Sequence, residues 1–281
     1  MIKNIIIRAL SGALYIAVII ASLLLYENST ATFYIVFPLF IVIGQLELYR
    51  MFEHMRPDKA SKSWLITGID LGGGIGVFAT VQMLLSGTPI GIAFIPIAIY
   101  LVVRLVVQLF RPHLNALDSL SASMMSLIYV ALPLSMLNMI IAMTSAKLLL
   151  GIFAFIWLND TGAFLTGITL GRHKMFPRVS PAKTWEGFAG GVLFTVGAAW
   201  LFTMWHSEWF GTPDNPTWLC LALLTSLSAT LGDLVESLLK RTAGVKDSGH
   251  LIPGHGGMLD RIDSLLLVAP TATIFLAIVT A

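Results

Sequence analysis

The chain is short of charge and almost without cysteine. Only 11% of its 281 residues are Asp, Glu, Lys or Arg, and Cys220 is the one cysteine. A lone cysteine excludes an internal disulfide, and its place within an apolar run predicts a packing role. So little charge, with a mean hydropathy of +0.85, excludes an ordinary soluble domain. A formal net charge of +2 does not point to nucleic acid, and no nucleic-acid partner is expected. Low-complexity tracts, sequence repeats and a stretch long enough for a separate soluble domain are also lacking. His250 and His255 have no cysteine or third histidine at zinc-binding spacing. The "KT" at 183–184 has none of the upstream glycines of a Walker A loop.

What the chain does have is apolar runs of about 20 residues, the length that crosses a bilayer core as a helix. Lipid offers the backbone no hydrogen bonds, so spans must be helices or a closed barrel, and continuous rather than alternating hydrophobicity favours helices. The runs predict an all-α, polytopic integral membrane protein of about nine transmembrane helices. The spans fall near 5–26, 31–49, 64–85, 89–110, 119–141, 147–169, 187–205, 217–239 and 264–281. Pro133 interrupts the fifth. The first is too long for a signal-peptide core and is expected to be retained. Counting Lys3, Arg104 and the other basic residues at span ends, each of the 17 except Lys147 falls on one side. This asymmetry predicts a cytoplasmic N-terminus and an external C-terminus. Residues 1–145 form an N-terminal set of helices and 146–281 a C-terminal region, with chemistry expected on the cytoplasmic connections 50–63, 170–186 and 240–263.

The stretch "KRTAGVKDSGHLIPGHGGMLDRID", residues 240–263, gathers charge and glycine that the rest of the chain avoids. Asp233, Glu236 or Ser237, and Lys240 recur at helical spacing near the inner end of the eighth span. A carboxylate facing lipid there is costly, so this face should meet protein or water; a salt-bridged helix end is the plain alternative. Asp260 and Asp263, three apart, open the ninth span on one face. Hard oxygen ligands beside Lys246 and Arg261 suit Mg²⁺ and a polyphosphate, while glycines let backbone approach a ligand closely. A flexible polar loop with capping aspartates is the alternative. His255 alone reads more simply as a hydrogen-bonding loop residue. Asn159 and Asp160 lie inside the apolar sixth span, where polar side chains suggest function. Ser180–Pro181 predicts a capped start to the seventh helix, with Lys183 in its first turn. A lysine there opposes the helix dipole unless an anion is bound; a surface anchor is the alternative. "LGGGIG" at 71–76 sits inside a span and reads as helix packing through Gly72 and Gly76. The neighbouring Asp70 has no partner apparent in the sequence.

Taken together, Ser237, Lys240–Arg241, Lys246–Asp247, His255–Gly256–Gly257, Asp260–Arg261 and Asp263 closely resemble the signature of the phosphatidate cytidylyltransferase, or CDP-diacylglycerol synthase, family. "NDTGAFLTG" and "SPAKTWEG" extend the likeness over residues 159–263; the first 150 residues share only the hydrophobic spans. The resemblance implies the conversion of CTP and phosphatidate to CDP-diacylglycerol and pyrophosphate in phospholipid biosynthesis. It implies a bacterial inner-membrane enzyme, a homodimer, with its polar cavity open to the cytoplasm. It makes Asp233 and Asp260 the ligands of a Mg²⁺ centre, with K⁺ as a second metal. Asp263, Lys240 and Arg261 join them as catalytic residues. Asn159, Asp160, Lys183, Ser237, Arg241, Lys246, Asp247, His255, Gly256 and Gly257 become substrate contacts. Two rival functions are weighed: a CTP-dependent polyprenol or phytol kinase, and an ion-coupled transporter. Transporter sites usually lie near the bilayer midplane, whereas most charges here collect at one face.

Overall fold

The computed structural model describes residues 2–55, 64–111, 115–205, 209, 214–252, 254 and 256–280. Its helices are α1 Ile2–Leu24, α2 Ala31–Met55, α3 Trp64–Leu85, α4 Ile90–Ala93, α5 Ile95–Leu109, α6 Ala116–Ser126, α7 Leu132–Met143, α8 Ala146–Leu170, α9 Trp185–Trp205, α10 Asn215–Thr242 and α11 Leu259–Val279. Among the described residues, seven helical segments are long and apolar enough to cross a membrane, and Leu10–Leu24 and Ile95–Leu109 are shorter apolar helices. The protein is all-α and polytopic. Its helices fall where the nine spans are expected, but the first and fourth expected spans correspond to the two shorter apolar helices, and there are three further local differences. The fourth span breaks at Phe94, just before Pro96 near the start of α5. The fifth runs unbroken from Ala116 to Met143. A π-helical stretch, Leu127–Ala131, ends two residues before Pro133 and accommodates a residue that cannot donate to the preceding turn. The last two helices also extend beyond their apolar runs, α10 to Thr242 and α11 back to Leu259, so that Asp260 and Asp263 are helical while Asp247 stays in the connection.

Two compact units divide the chain: Met1–Met139 with Thr242–Ile262, and Ile140–Arg241 with Asp263–Ala281. In the first unit, Phe33 packs on Phe37 with ring centroids 4.5 Å apart, and on Phe78 of α3 at 6.3 Å. Beside this apolar core lies a buried polar knot around Asp70. Arg104 Nε lies 3.1 Å from Asp70 Oδ1, and Tyr49, Tyr100 and Ser123 hydroxyls donate to the same carboxylate at 2.7–2.9 Å. Arg104 is therefore the buried counter-ion of Asp70 rather than a residue of a membrane-surface connection. A buried carboxylate persists only with such partners. Glycines 73, 74 and 76 make the close helix contacts of α3, against Tyr100, Gln45 and Pro96, while Gly72 faces open space. The expected packing role of Gly72 is thus corrected: the helical phase turns its neighbours, not Gly72, toward the partner helices.

In the second unit, α8 and α9 form an antiparallel hairpin joined by two strands, β1 Lys174–Phe176 and β2 Ser180–Thr184. Small residues bring the helices together. A Cβ on Gly187 would lie 2.9 Å from the Ala163 carbonyl, and one on Gly191 2.6 Å from Asn159 Oδ1. Phe155 packs on Trp218 of α10 with centroids 4.6 Å apart. Cys220 is exposed on α10, which corrects its expected packing role: Trp218 and Leu221 face the core instead.

Candidate active site

The second unit holds a cavity of about 380 Å³. Its polar lining includes Asn159, Asp160, Lys183, Thr230 and Asp233, and its apolar lining includes Phe164, Ile168, Met175 and Phe188. The structure thus brings together four sequence-predicted site residues from α8, β2 and α10. Each arrives for a local reason. Asn159 is buried; Ser226 Oγ donates to its Oδ1 at 2.6 Å, and its Nδ2 donates to Thr230 Oγ1 at 3.4 Å. It ties α8 to α10 and carries Asp160, the next residue, to the cavity. Lys183 Nζ lies 2.6 Å from Asp233 Oδ2 and donates to the Thr230 carbonyl at 3.3 Å. Ser237, one turn on, donates to Asp233 Oδ1 at 3.2 Å.

Lys183 does not sit in the first turn of a helix. Residues 180–184 pair as a strand with 174–176, and the helix starts at Trp185. Thr184 provides the cap, its Oγ1 accepting from Gly187 N at 3.1 Å. Glu186 draws the connection closed by accepting from the amides of Arg172 and His173. The expected cap Ser180–Pro181 fails because the hairpin pairing uses those residues first. Lys183 is consequently placed by a strand and held by a carboxylate, not opposed to a helix dipole.

Next to the cavity, α10 and α11 cross closely. A Cβ on Gly232 would lie 2.7 Å from the Asp263 carbonyl oxygen and 3.1 Å from Ser264 Cα, so only glycine allows this approach. The crossing gathers Asp233, Glu236 and Asp263, each offering a carboxylate oxygen within 4.8 Å of the others. Glu236 is fully buried and ion-paired with Lys240 one turn later. Sequence spacing placed Glu236 on the correct face but left it out of the site; its burial beside Asp263 follows from the helix crossing.

In the first unit, the signature loop is organised by acids. Glu47, buried on α2, accepts from Met258 N at 2.9 Å and Leu259 N at 2.8 Å, and from Ser248 Oγ at 3.0 Å. A carboxylate from another helix thereby caps the start of α11, where the helix dipole favours negative charge. Asp260 Oδ2 accepts from Ser248 N at 3.0 Å, Ser248 Oγ at 3.0 Å and Gly257 N at 2.7 Å. Gly256 has φ +86°, and side chains on Gly256 or Gly257 would strike Asp260 and Glu47. The two glycines therefore fit the loop onto its carboxylates. Glu47 escaped sequence reasoning, although a glutamate within the run "IVIGQLELY" was a signal of it. Lys246, Asp247 and Arg261 are exposed, and in the second unit Arg241 Nε donates to the Val179 carbonyl at 3.3 Å. His255 lies outside the described residues. The resemblance pairs Asp233 with Asp260 as metal ligands; the three-carboxylate group consists of Asp233, Glu236 and Asp263.

This arrangement, a cavity lined by both charged and apolar side chains beside clustered carboxylates, suits an amphiphilic anion. Comparisons with known proteins point to a family. Over 129 residues the chain is 43% identical to a phosphatidate cytidylyltransferase of Haemophilus influenzae, covering 46% of this chain and 45% of that protein. It is 45% identical over 126 residues to one of Staphylococcus epidermidis and 47% identical over 128 residues to one of Staphylococcus aureus, in both cases 44% of this chain and 46% of the relative. The chain thus spans a little under half the length of the curated relatives it matches. Residues 6–279, nearly its full length, match the Cytidylyltransferase family, and the chain belongs to that family.

Proposed function

We propose that the protein is a CTP:phosphatidate cytidylyltransferase of the bacterial inner membrane, working at the cytoplasmic face. The observation that carries this reading is the cavity lined by Asp160, Lys183 and Asp233 together with apolar side chains, in a chain of this family. A phosphate oxygen of phosphatidate attacks the α-phosphorus of CTP. One phosphoanhydride bond forms, the α–β bond breaks, and pyrophosphate leaves with the bonding electron pair. Phosphatidate is already ionised near neutral pH, so the chain needs no strong general base. Phe164, Ile168 and Phe188 suit the glyceride, which enters from the bilayer. Lys183 lines the cavity beside its ion-pair partner Asp233 and reaches substrate phosphate by rotating about its side chain.

The residues present fit a hard divalent cation. Three carboxylates this close repel one another unless positive charge offsets them, and oxygen donors without histidine or cysteine suit Mg²⁺ rather than zinc. Asp233 and Asp263, with Glu236, would hold it. Bound there, Mg²⁺ supplies charge that stabilises the transferring phosphoryl group and the leaving pyrophosphate. Lys240 holds Glu236 in place, and Ser237 fixes the rotamer of Asp233.

The test is the full-length protein in detergent with CTP, phosphatidate and Mg²⁺. Pyrophosphate and CDP-diacylglycerol should appear in equal amounts. A phosphorylated alcohol formed without pyrophosphate would make the protein a kinase, and intact CTP in a folded preparation would overturn the reading.

A further inference from the structure

The connection between α8 and α9 has two faces. From Gly171 to Trp185 it holds Arg172, Lys174, Arg178 and Lys183 and no aspartate or glutamate. Strand alternation sorts these side chains. Met175 turns inward, and with Lys183 and Thr184 it lines the cavity. Its neighbours Lys174 and Phe176 are exposed, as are Arg172 and Arg178. Phe176 and Trp185 are 47% and 52% exposed, so the outer face is aromatic as well as basic. Among the described residues, Arg172, Lys174 and Arg178 enter no ion pair. Glu186, the next acid in the sequence, is engaged by His173 Nδ1 at 2.5 Å and by two backbone amides.

Both helices that this hairpin joins are long and apolar enough to span a membrane, so it lies at a membrane face. Anionic headgroups occupy that depth, where cations are attracted and amphipathic rings settle. We propose that the outer face of the 172–185 hairpin docks on anionic lipid headgroups and passes phosphatidate to the cavity lined by its inner face. The docking stands without any enzymatic activity; its use in substrate capture rests on the proposed reaction. Charge complementarity selects the occupant: three outward cations that form no ion pair among the described residues, at the level of the headgroups.

The experiment uses the full-length protein in phosphatidylcholine nanodiscs containing brominated phosphatidylglycerol or brominated phosphatidylcholine at equal mole fraction. The signal of Trp185 is taken as the difference between wild type and Trp185→Phe. Brominated phosphatidylglycerol should quench it more strongly than brominated phosphatidylcholine. The preference should vanish in the Arg172→Gln/Lys174→Gln/Arg178→Gln variant and persist in Arg172→Lys/Arg178→Lys. In mixed micelles the triple variant should raise the apparent KM for phosphatidate by on the order of a hundredfold, at roughly fivefold per charge, with the KM for CTP unchanged. Equal quenching by the two lipids in wild type would overturn the docking. A triple variant that raises only the KM for CTP would make these residues nucleotide contacts and overturn it too. Preferential quenching in a protein that turns over no CTP would uphold the docking and refute only the reaction.

Discussion

Asp233 bears more of the site than any other residue. It accepts the Lys183 ion pair on one oxygen and the Ser237 hydroxyl on the other, lines the cavity, and belongs to the three-carboxylate group. Asp→Asn keeps its size and one oxygen ligand while removing the charge. Asp233→Asn and Asp263→Asn should each lower turnover by roughly 10² or more, the scale of lost electrostatic stabilisation, and should raise the Mg²⁺ concentration needed for half-maximal activity. The double variant should be little worse than either single, because the two carboxylates act together. Asp260 should behave differently. Its Oδ2 organises the loop through Ser248 and Gly257. Asp260→Asn should therefore lower the melting temperature while leaving the Mg²⁺ requirement within about twofold of wild type. The check is a Mg²⁺ titration of turnover for each variant, with and without K⁺, alongside thermal melting. A Mg²⁺ requirement in Asp260→Asn that shifts as far as in Asp233→Asn would make Asp260 a metal ligand, as the family resemblance implies.

Among the elements, two devices put these residues in place: the β-hairpin that carries Lys183 and the crossing of α10 with α11 at Gly232. The crossing depends on a missing side chain. Gly232→Ala would drive a methyl group into the backbone of Asp263 and Ser264 and force the helices apart. The expected cost is about 1–3 kcal/mol, as for overpacking generally, with loss of turnover because Asp233 and Asp263 separate. Gly197→Ala is the control. It lies within α9 with nothing inside 4 Å of an added Cβ, so its melting temperature should stay close to wild type. Equal melting and equal turnover for both variants would show that the crossing tolerates a methyl group.

At the scale of the molecule, basic residues at the helix ends should set orientation. Removing Arg104 from the count, because it is buried against Asp70, weakens the asymmetry only slightly. The expected nine crossings from a cytoplasmic N-terminus would put Ala281 outside. A phosphatase reporter that is active only outside the cytoplasm, fused after Ala281, should be active. A silent reporter on a folded, catalytically competent fusion would show an even number of crossings and reverse the C-terminal assignment.

Membrane helices were legible in the sequence because their hydrophobicity is set residue by residue: a backbone in lipid must satisfy its own hydrogen bonds, and length does the rest. Asn159, Asp160 and Asp233 stood out for the same reason, as polar side chains at positions where lipid penalises them. What tertiary structure alone decided is which charges meet. Lys183 finds Asp233 because 180–184 pairs as a strand, a long-range choice that overrides the local cap signal of Ser180–Pro181. Asp70 finds Arg104, and Glu47 finds the start of α11, across 34 and about 210 residues of chain. Asp233 joins Asp263 because Gly232 lets two helices touch. Propensity and periodicity act over a few residues, whereas the pairing of buried charges is settled by packing between elements distant in the chain, where the cost of an unpaired charge is highest.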